Sequence, residues 1–298
     1  MSRDQSFLVR WLTLFRFPNL FSIPGDILAG IAIVGGLIPF KEPIKIISAI
    51  LISLLTYCVG MALNDWADRF EDASERPNRP IPSGAIRESS ALNFARFGTF
   101  SGLILTILLF PNALIAYIVL IAAVWSYNLF AKKQFFLSSI AMGICRASNV
   151  WFGALALGIP SEQLYFIMLV YFIYIALVTA IAFYETSKIP AKWMLLTWFA
   201  TLGAILFSGA NRLSGEGCYG VWIVLVFLIL NMAYILLKMW NLETPKKVPS
   251  LIGQMIRNVI FMQAFWVAVG TGSNCVWLSL VLLLWPIARY SSRAFYSS

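Results

Sequence analysis

From residue 17 onward, long apolar runs alternate with short polar ones, and few of the runs contain a charge. About 20 predominantly apolar residues carry a helix across the hydrocarbon core of a bilayer. Runs near that length fall at 17–38, 43–63, 90–110, 112–130, 136–159, 163–184, 191–210, 217–238, 250–271 and 274–290. The last two read as two crossings, or as one crossing preceded by a re-entrant or interfacial helix, because Gln254, Arg257, Asn258 and Gln263 dilute the ninth. The pattern predicts an all-α, multi-pass membrane bundle of nine or ten transmembrane helices. No polar linker, low-complexity tract or internal repeat divides the chain, so residues 1–298 read as one integral domain.

Composition agrees with that reading. Residues are 60% hydrophobic and 12% charged, against about 25% charged in soluble domains. The excess of 22 Lys and Arg over 13 Asp and Glu is explained by the cytoplasmic bias of basic loops, without nucleic acid as a partner. With ten spans and the N-terminus inside, Lys41, Lys45 and Arg212 fall in outside loops and Arg146 and Arg257 inside spans, leaving 17 of the 22 basic residues on the inner side. The opening "MSRDQSFLVRWLTLFRF" has no compact apolar core ending in a cleavage site and reads as retained. Nothing resembles a transit peptide, and a bacterial inner (plasma) membrane is the expected location. Cys58, Cys145, Cys218 and Cys275 are isolated and lack metal or disulfide spacing.

Histidine is absent. That excludes a His metal ligand, a His general base and a Ser–His pair, and leaves carboxylates, amides, cations, Tyr or a bound metal to do any chemistry. All five Asp residues (Asp4, Asp26, Asp65, Asp68, Asp72) lie in the first quarter of the chain. Asn64, Asp65, Asp68 and Asp72 form N-D-x-x-D-x-x-x-D at the end of the second span. If the helix continues, the carboxylates recur at i, i+3 and i+7 on one face. Three such charges repel unless a cation joins them or some stay protonated. Hard oxygen donors without His or Cys favour Mg²⁺, held together with substrate phosphate. The next residues, "ERPNRPIPSG", hold three Pro and a Gly and predict a stiff extended loop presenting Arg76 and Arg79, whose guanidinium groups suit phosphate oxygens.

The stretch "NDWADRFEDASERPNRPIPSG" resembles the first signature of the UbiA superfamily of intramembrane prenyltransferases, in both its acidic core and its R-P-x-R-P-I-P-S-G tail. The all-helical layout, "YNLFAKK" after span four and a polar segment after span six extend the resemblance along most of the chain. It implies a helical bundle around a lipid-open cavity, with Mg²⁺ as cofactor. It also implies an isoprenoid diphosphate donor, ionised at its allylic C–O bond and attacked by an aromatic or other lipophilic acceptor. Carried over, Asp65, Asp68 and Asp72 are the catalytic carboxylates, and with Asn64 they are the metal ligands. Asn64, Arg76, Arg79, Tyr127, Lys132 (or Lys133), Arg146, Glu185 and Lys188 are the expected diphosphate contacts.

The second acidic motif of the family is reduced here to Glu185, in "TAIAFYETSKIPAK". Arg146 and Asn149, in "GICRASNVWFG", offer either a compensating diphosphate contact or a buried partner for Asp26. This arrangement is also similar to the EboC-like branch of the superfamily. That likeness keeps open a non-catalytic carrier or accessory protein for a lipophilic precursor. A CDP-alcohol phosphotransferase lacks its signature here, and an ion-coupled transporter using Asp26, Arg146 and Arg257 leaves the acidic stretch unexplained.

Overall fold

The computed structural model describes residues 6–36, 41–158, 160–183, 191–210, 219–240, 248–272 and 274–295, and every regular element among them is helical. An eight-residue helix, α1 (Phe7–Leu14), leads into a short α2 (Phe17–Leu20) and then α3 (Pro24–Gly35). Helix α4 (Pro43–Ala67) is followed by the short α5 (Arg69–Glu75), and then come α6 (Glu88–Leu109), α7 (Leu114–Ser126) and α8 (Phe135–Leu157). The remainder are α9 (Glu162–Ala182), α10 (Ala191–Ala210), α11 (Tyr219–Trp240), α12 (Val248–Thr271) and α13 (Cys275–Phe295). Helices occupy all ten stretches that the hydrophobic pattern marks. Eight stretches are long and apolar enough to cross a membrane, whereas the apolar parts of α10 and α13, Trp193–Ser208 and Val276–Ser292, are shorter.

The first predicted span, 17–38, is not one uninterrupted helix. It breaks between Leu20 and Pro24, because Pro24 lacks an N–H and suits the first turn of a new helix. The break leaves the carbonyl of Ser22 available to partners from other helices.

Helix α3 is the axis of the packing. Ile27, Ala29, Ile31 and Ala32 are fully buried, and α8 and α12 press against α3 from two sides. Small residues permit the approach: a Cβ at Gly30 would lie 2.2 Å from the Val150 carbonyl oxygen, and one at Gly153 would lie 2.7 Å from the Ile27 backbone. Inside a bilayer, helices gain little from hydrophobicity and associate by such close backbone packing. Gly153→Val is therefore expected to lower the melting midpoint of the detergent-purified protein by the equivalent of about 1–3 kcal/mol. A midpoint equal to wild type would contradict the close crossing.

The outer surface is the reverse. Phe97, Phe100, Ile104 and Leu108 of α6 are all more than half exposed, as befits a face turned to lipid. A second, smaller core lies at one end of the bundle, where Leu14 of α1 meets Val59, Ala62 and Leu63 of α4, Ile81 and Ile86 of the following loop, and Ala91 and Ala95 of α6.

That loop differs from the extended segment expected of its proline content. Residues 77–84 fold into consecutive turns, closed by Arg79 N to Arg76 O (3.0 Å), Ser83 N to Arg79 O (3.0 Å) and Gly84 N to Ile81 O (2.9 Å). Burying Ile81 and Ile86 favours the compact form, and Gly84 supplies the positive φ of 72° that the last turn needs.

Candidate functional site

At the end of the bundle where α4 stops and α6 starts, charged side chains from four segments meet. Asn64 and Asp65 occupy the last turn of α4 and are nearly buried. Asp68 (φ −89°, ψ 1°) joins α4 to α5, so the helix is interrupted there by one residue. Hydrogen bonds from Asp68 N to Asn64 O (3.0 Å) and from Asp72 N to Asp68 O (2.8 Å) carry the helical pattern through the joint. The i, i+3, i+7 spacing thus survives, and Asp65 and Asp72 share one guanidinium. Arg79 donates from Nη1 to Asp72 Oδ2 at 2.6 Å and lies 3.7 Å from Asp65 Oδ1.

The compact turns after α5 aim Arg79 back at the carboxylates, while Arg76 at their start is exposed. From the other side comes Lys132. Helix α7 ends in a widened π turn, Tyr127–Ala131, closed by Lys132 N to Tyr127 O at 3.0 Å. Beyond it the chain reverses and Lys132 pairs with Asp68, its ammonium nearly buried. Lys133 is mostly exposed and pairs with Glu71 at 3.3 Å. Tyr127, half-buried, lies near enough to Arg16 and Asp68 to interact with them electrostatically.

Two participants are missing from the set named above on sequence. Arg16 sits between α1 and α2 in the left-handed conformation (φ 49°, ψ 57°), the sole positive φ outside glycine among the described residues. A non-glycine residue pays about 1 kcal/mol or more for this backbone. The conformation delivers its guanidinium to Asn64 Oδ1 (3.1 Å) and to within 3.9 Å of Asp65. Asn128, inside the π turn, accepts from Asn64 Nδ2 at 3.1 Å and donates to Val124 O at 2.9 Å. In the sequence Arg16 is one of many inner-side cations and Asn128 one of many amides, so neither carries a local signal.

Arg146 is elsewhere. Its position in α8, eleven residues after Phe135, is about 17 Å along the helix from that end. Nη1 donates to Asp26 Oδ2 (2.6 Å) and to Ser22 O (3.1 Å), and Nη2 donates to Ser22 Oγ (2.8 Å). Asn149 donates to the same Asp26 oxygen at 2.9 Å, and Gln263 of α12 donates to Asp26 Oδ1 at 2.7 Å. Of the two roles open to Arg146 on sequence, the structure places it in the buried pair. Glu185 and Lys188 lie outside the described residues.

The donor chemistry of Asn64, Asp65, Asp68 and Asp72 fits a hard cation, being oxygen alone. Among the described residues, however, no three His, Cys, Asp or Glu side chains converge closely enough to form a metal cluster. Each of the three carboxylates faces an Arg or Lys instead.

Among the described residues, eight helices long and apolar enough to cross a bilayer, with a charged cluster at one end of the bundle, are the marks of an integral membrane protein. The chain belongs to the UbiA prenyltransferase family, whose sequence pattern its residues 27–256 match. Over 140 residues it is 34% identical to digeranylgeranylglyceryl phosphate synthase of Pyrococcus horikoshii, covering 44% of this chain and 49% of that protein. Over 137 residues it is 29% identical to the bacteriochlorophyll synthase 33 kDa chain of Cereibacter sphaeroides, covering 44% and 45%. The chain thus spans about half the length of the curated relatives it matches. A UbiA homologue from Archaeoglobus fulgidus, bound to DMAPP and Mg²⁺, has the same fold with a TM-score of 0.65, at 14% identity over 88% of this chain and 97% of that one.

Proposed function

We propose that this chain, acting as one integral unit, is a Mg²⁺-dependent prenyltransferase that moves an isoprenoid from an allylic diphosphate to a lipophilic acceptor. The observation that carries the reading is the meeting of Asp65, Asp68 and Asp72 with Arg16, Arg79 and Lys132 at one end of an apolar bundle. Support comes from the family pattern and from the Archaeoglobus homologue, which is bound to an allylic diphosphate and Mg²⁺.

Asn64, Asp65, Asp68 and Asp72 would hold the metal, which when bound neutralises charge on the diphosphate. Arg79, Lys132 and Arg16 offer donors to the phosphate oxygens, with Tyr127 beside them. Breaking the allylic C–O bond places extra negative charge on the departing diphosphate. Donors already fixed by partners act on that charge without having to reorganise. The apolar bundle would take the prenyl chain and keep water from the allylic cation. Glu185 and Lys188 follow α9 in the sequence, and we retain a diphosphate-side role for both. Arg76 is left to the exposed turn and Arg146 to the buried pair. By the charge distribution, the N-terminus and the site face the cytoplasm, in a bacterial plasma membrane.

The test is diphosphate release by the full chain in detergent, with Mg²⁺ and geranyl, farnesyl and geranylgeranyl diphosphates offered separately. Wild type is expected to release diphosphate. Arg79→Ala should lower kcat by about 10²–10³-fold, the cost of losing one fixed donor to a developing anion. Arg76→Ala should stay within about twofold, as an exposed charge with no ion pair among the described residues contributes little. Equal rates for the two Arg variants would contradict the assignment. Retention of the diphosphates by wild type without release would mark a carrier instead.

A further inference from the structure

The three carboxylates of the site are balanced by three cations of the protein. Arg16 lies 3.9 Å from Asp65, Arg79 bonds Asp72 at 2.6 Å and reaches Asp65 at 3.7 Å, and Lys132 pairs with Asp68. The cluster is therefore close to neutral before any ligand arrives. A divalent metal entering alone would add two positive charges to a nearly buried, already balanced group. A diphosphate entering alone would add several negative ones. Together they largely cancel, so electrostatics favours their joint arrival over either one.

Lys132 is the critical cation. Its side chain is 13% exposed, and among the described residues its ammonium makes no hydrogen bond besides the contact with Asp68. A metal that took Asp68 would strand that ammonium, and an unpaired buried charge is costly. A phosphate oxygen beside Asp68 would accept the ammonium in the carboxylate's place. Arg79 is in the same position with respect to Asp72, which is 3% exposed.

We propose that Lys132, with Arg79, is an internal counter-ion that occupies the carboxylates at rest, so that the divalent metal binds only in company with a diphosphate, onto whose oxygens these cations then transfer. The inference rests on the metal–diphosphate reading of the site given above, and it adds an obligatory coupling between the two ligands. Its physical consequence is that the resting protein neither stores metal nor holds bare carboxylates at the membrane boundary.

Mn²⁺ serves as a spectroscopically visible stand-in for Mg²⁺, and radiolabelled inorganic pyrophosphate as the diphosphate, both with the full chain in detergent. In the first arm Mn²⁺ is titrated alone, and bound metal is read by electron paramagnetic resonance. Wild type is expected to show no saturable site. Lys132→Met should gain one, with affinity at least about tenfold tighter, since a facing charge shifts ion occupancy by that order. Lys132→Arg, which keeps the charge, should behave as wild type. In the second arm pyrophosphate retention is measured with and without Mn²⁺. Wild type is expected to retain pyrophosphate only with the metal, and Asp68→Ala not at all.

Wild type binding Mn²⁺ alone as tightly as Lys132→Met would overturn the counter-ion role and leave the site reading standing. Failure of wild type to retain pyrophosphate even with Mn²⁺ would remove the site reading and the inference together. If Lys132→Met does not elute as a monodisperse peak, Lys132→Gln takes its place. In either case a tight Mn²⁺ site in the wild type without pyrophosphate refutes the proposal.

Discussion

Asp68→Ala is expected to abolish turnover, with a loss of more than about 10³-fold in diphosphate release. The size follows from what the residue touches. Asp68 sits at the joint between α4 and α5, central in the i, i+3, i+7 series, and among the described residues it alone partners the Lys132 ammonium. Its removal takes away one oxygen ligand and also releases the cation that the opposite wall contributes. Metal and diphosphate would both lose their place, so kcat should fall and retention of the donor should fail in the same variant. Stranding the Lys132 ammonium should lower the melting midpoint, but the fold should persist, because Asp68 N still donates to Asn64 O whatever its side chain, and Asp68 lies outside both apolar clusters. The check is diphosphate release beside gel-filtration behaviour, with Asp68→Asn as a partial restoration of oxygen. Turnover equal to wild type in Asp68→Ala would sink the reading of this end of the bundle.

Much of the fold is legible in the sequence because a bilayer imposes a simple rule. Every backbone polar group within it must be satisfied internally, so a twenty-residue apolar run has little choice but helix. The ten marked runs accordingly coincide with ten helical stretches. The shortfall lies where local geometry decides. Pro24 splits the first run into α2 and α3, although the hydropathy of the run gives no sign of it. The Pro-rich tail looks extended when only the restrictions on φ are considered. Burial of Ile81 and Ile86 against α1 and α4, which is tertiary, folds it into turns.

The candidate site divides in the same way. Asp65, Asp68 and Asp72 are legible because their spacing is local and helical periodicity converts it into proximity. Arg79 follows within reach of the same chain segment. Lys132 requires the knowledge that α4 and α7 end side by side, and the family resemblance supplies that. Arg16 requires a left-handed backbone at one residue, which no propensity favours for arginine. Asn128 requires the π turn. What propensity cannot show is which cations from distant segments the fold will bring to a given carboxylate.

The buried pair between the first turn of α3 and the middle of α8 makes the opposite kind of prediction, about stability and not about turnover. Arg146→Ala is expected to cost about 3–5 kcal/mol, the penalty for leaving one partner of a buried ion pair uncompensated. Asp26 is fully buried and takes hydrogen bonds from Arg146, Asn149 and Gln263, while Asn149 in turn accepts from Ser53 of α4 at 2.6 Å. The group therefore ties α3, α4, α8 and α12 across the apolar interior. Arg146 also holds Ser22, at the α2–α3 break, by two hydrogen bonds. That anchors the segment whose other end presents Arg16 to Asp65. Loss of Arg146 should lower the melting midpoint steeply, and at temperatures where the variant stays folded it should loosen donor retention through Arg16. Pairing Arg146→Met with Asp26→Leu removes both charges and should recover a large part of the lost stability, as apolar replacements of buried pairs do. The double variant should not fully recover donor retention, because the two bonds from Arg146 to Ser22 are still missing and Gln263 alone holds the Ser22 carbonyl. Thermal melts and pyrophosphate retention on the single and double variants separate the two effects. If the double variant restores both, the pair acts on the site only through stability; if Arg146→Ala melts as wild type, the polar group is not what joins the four helices.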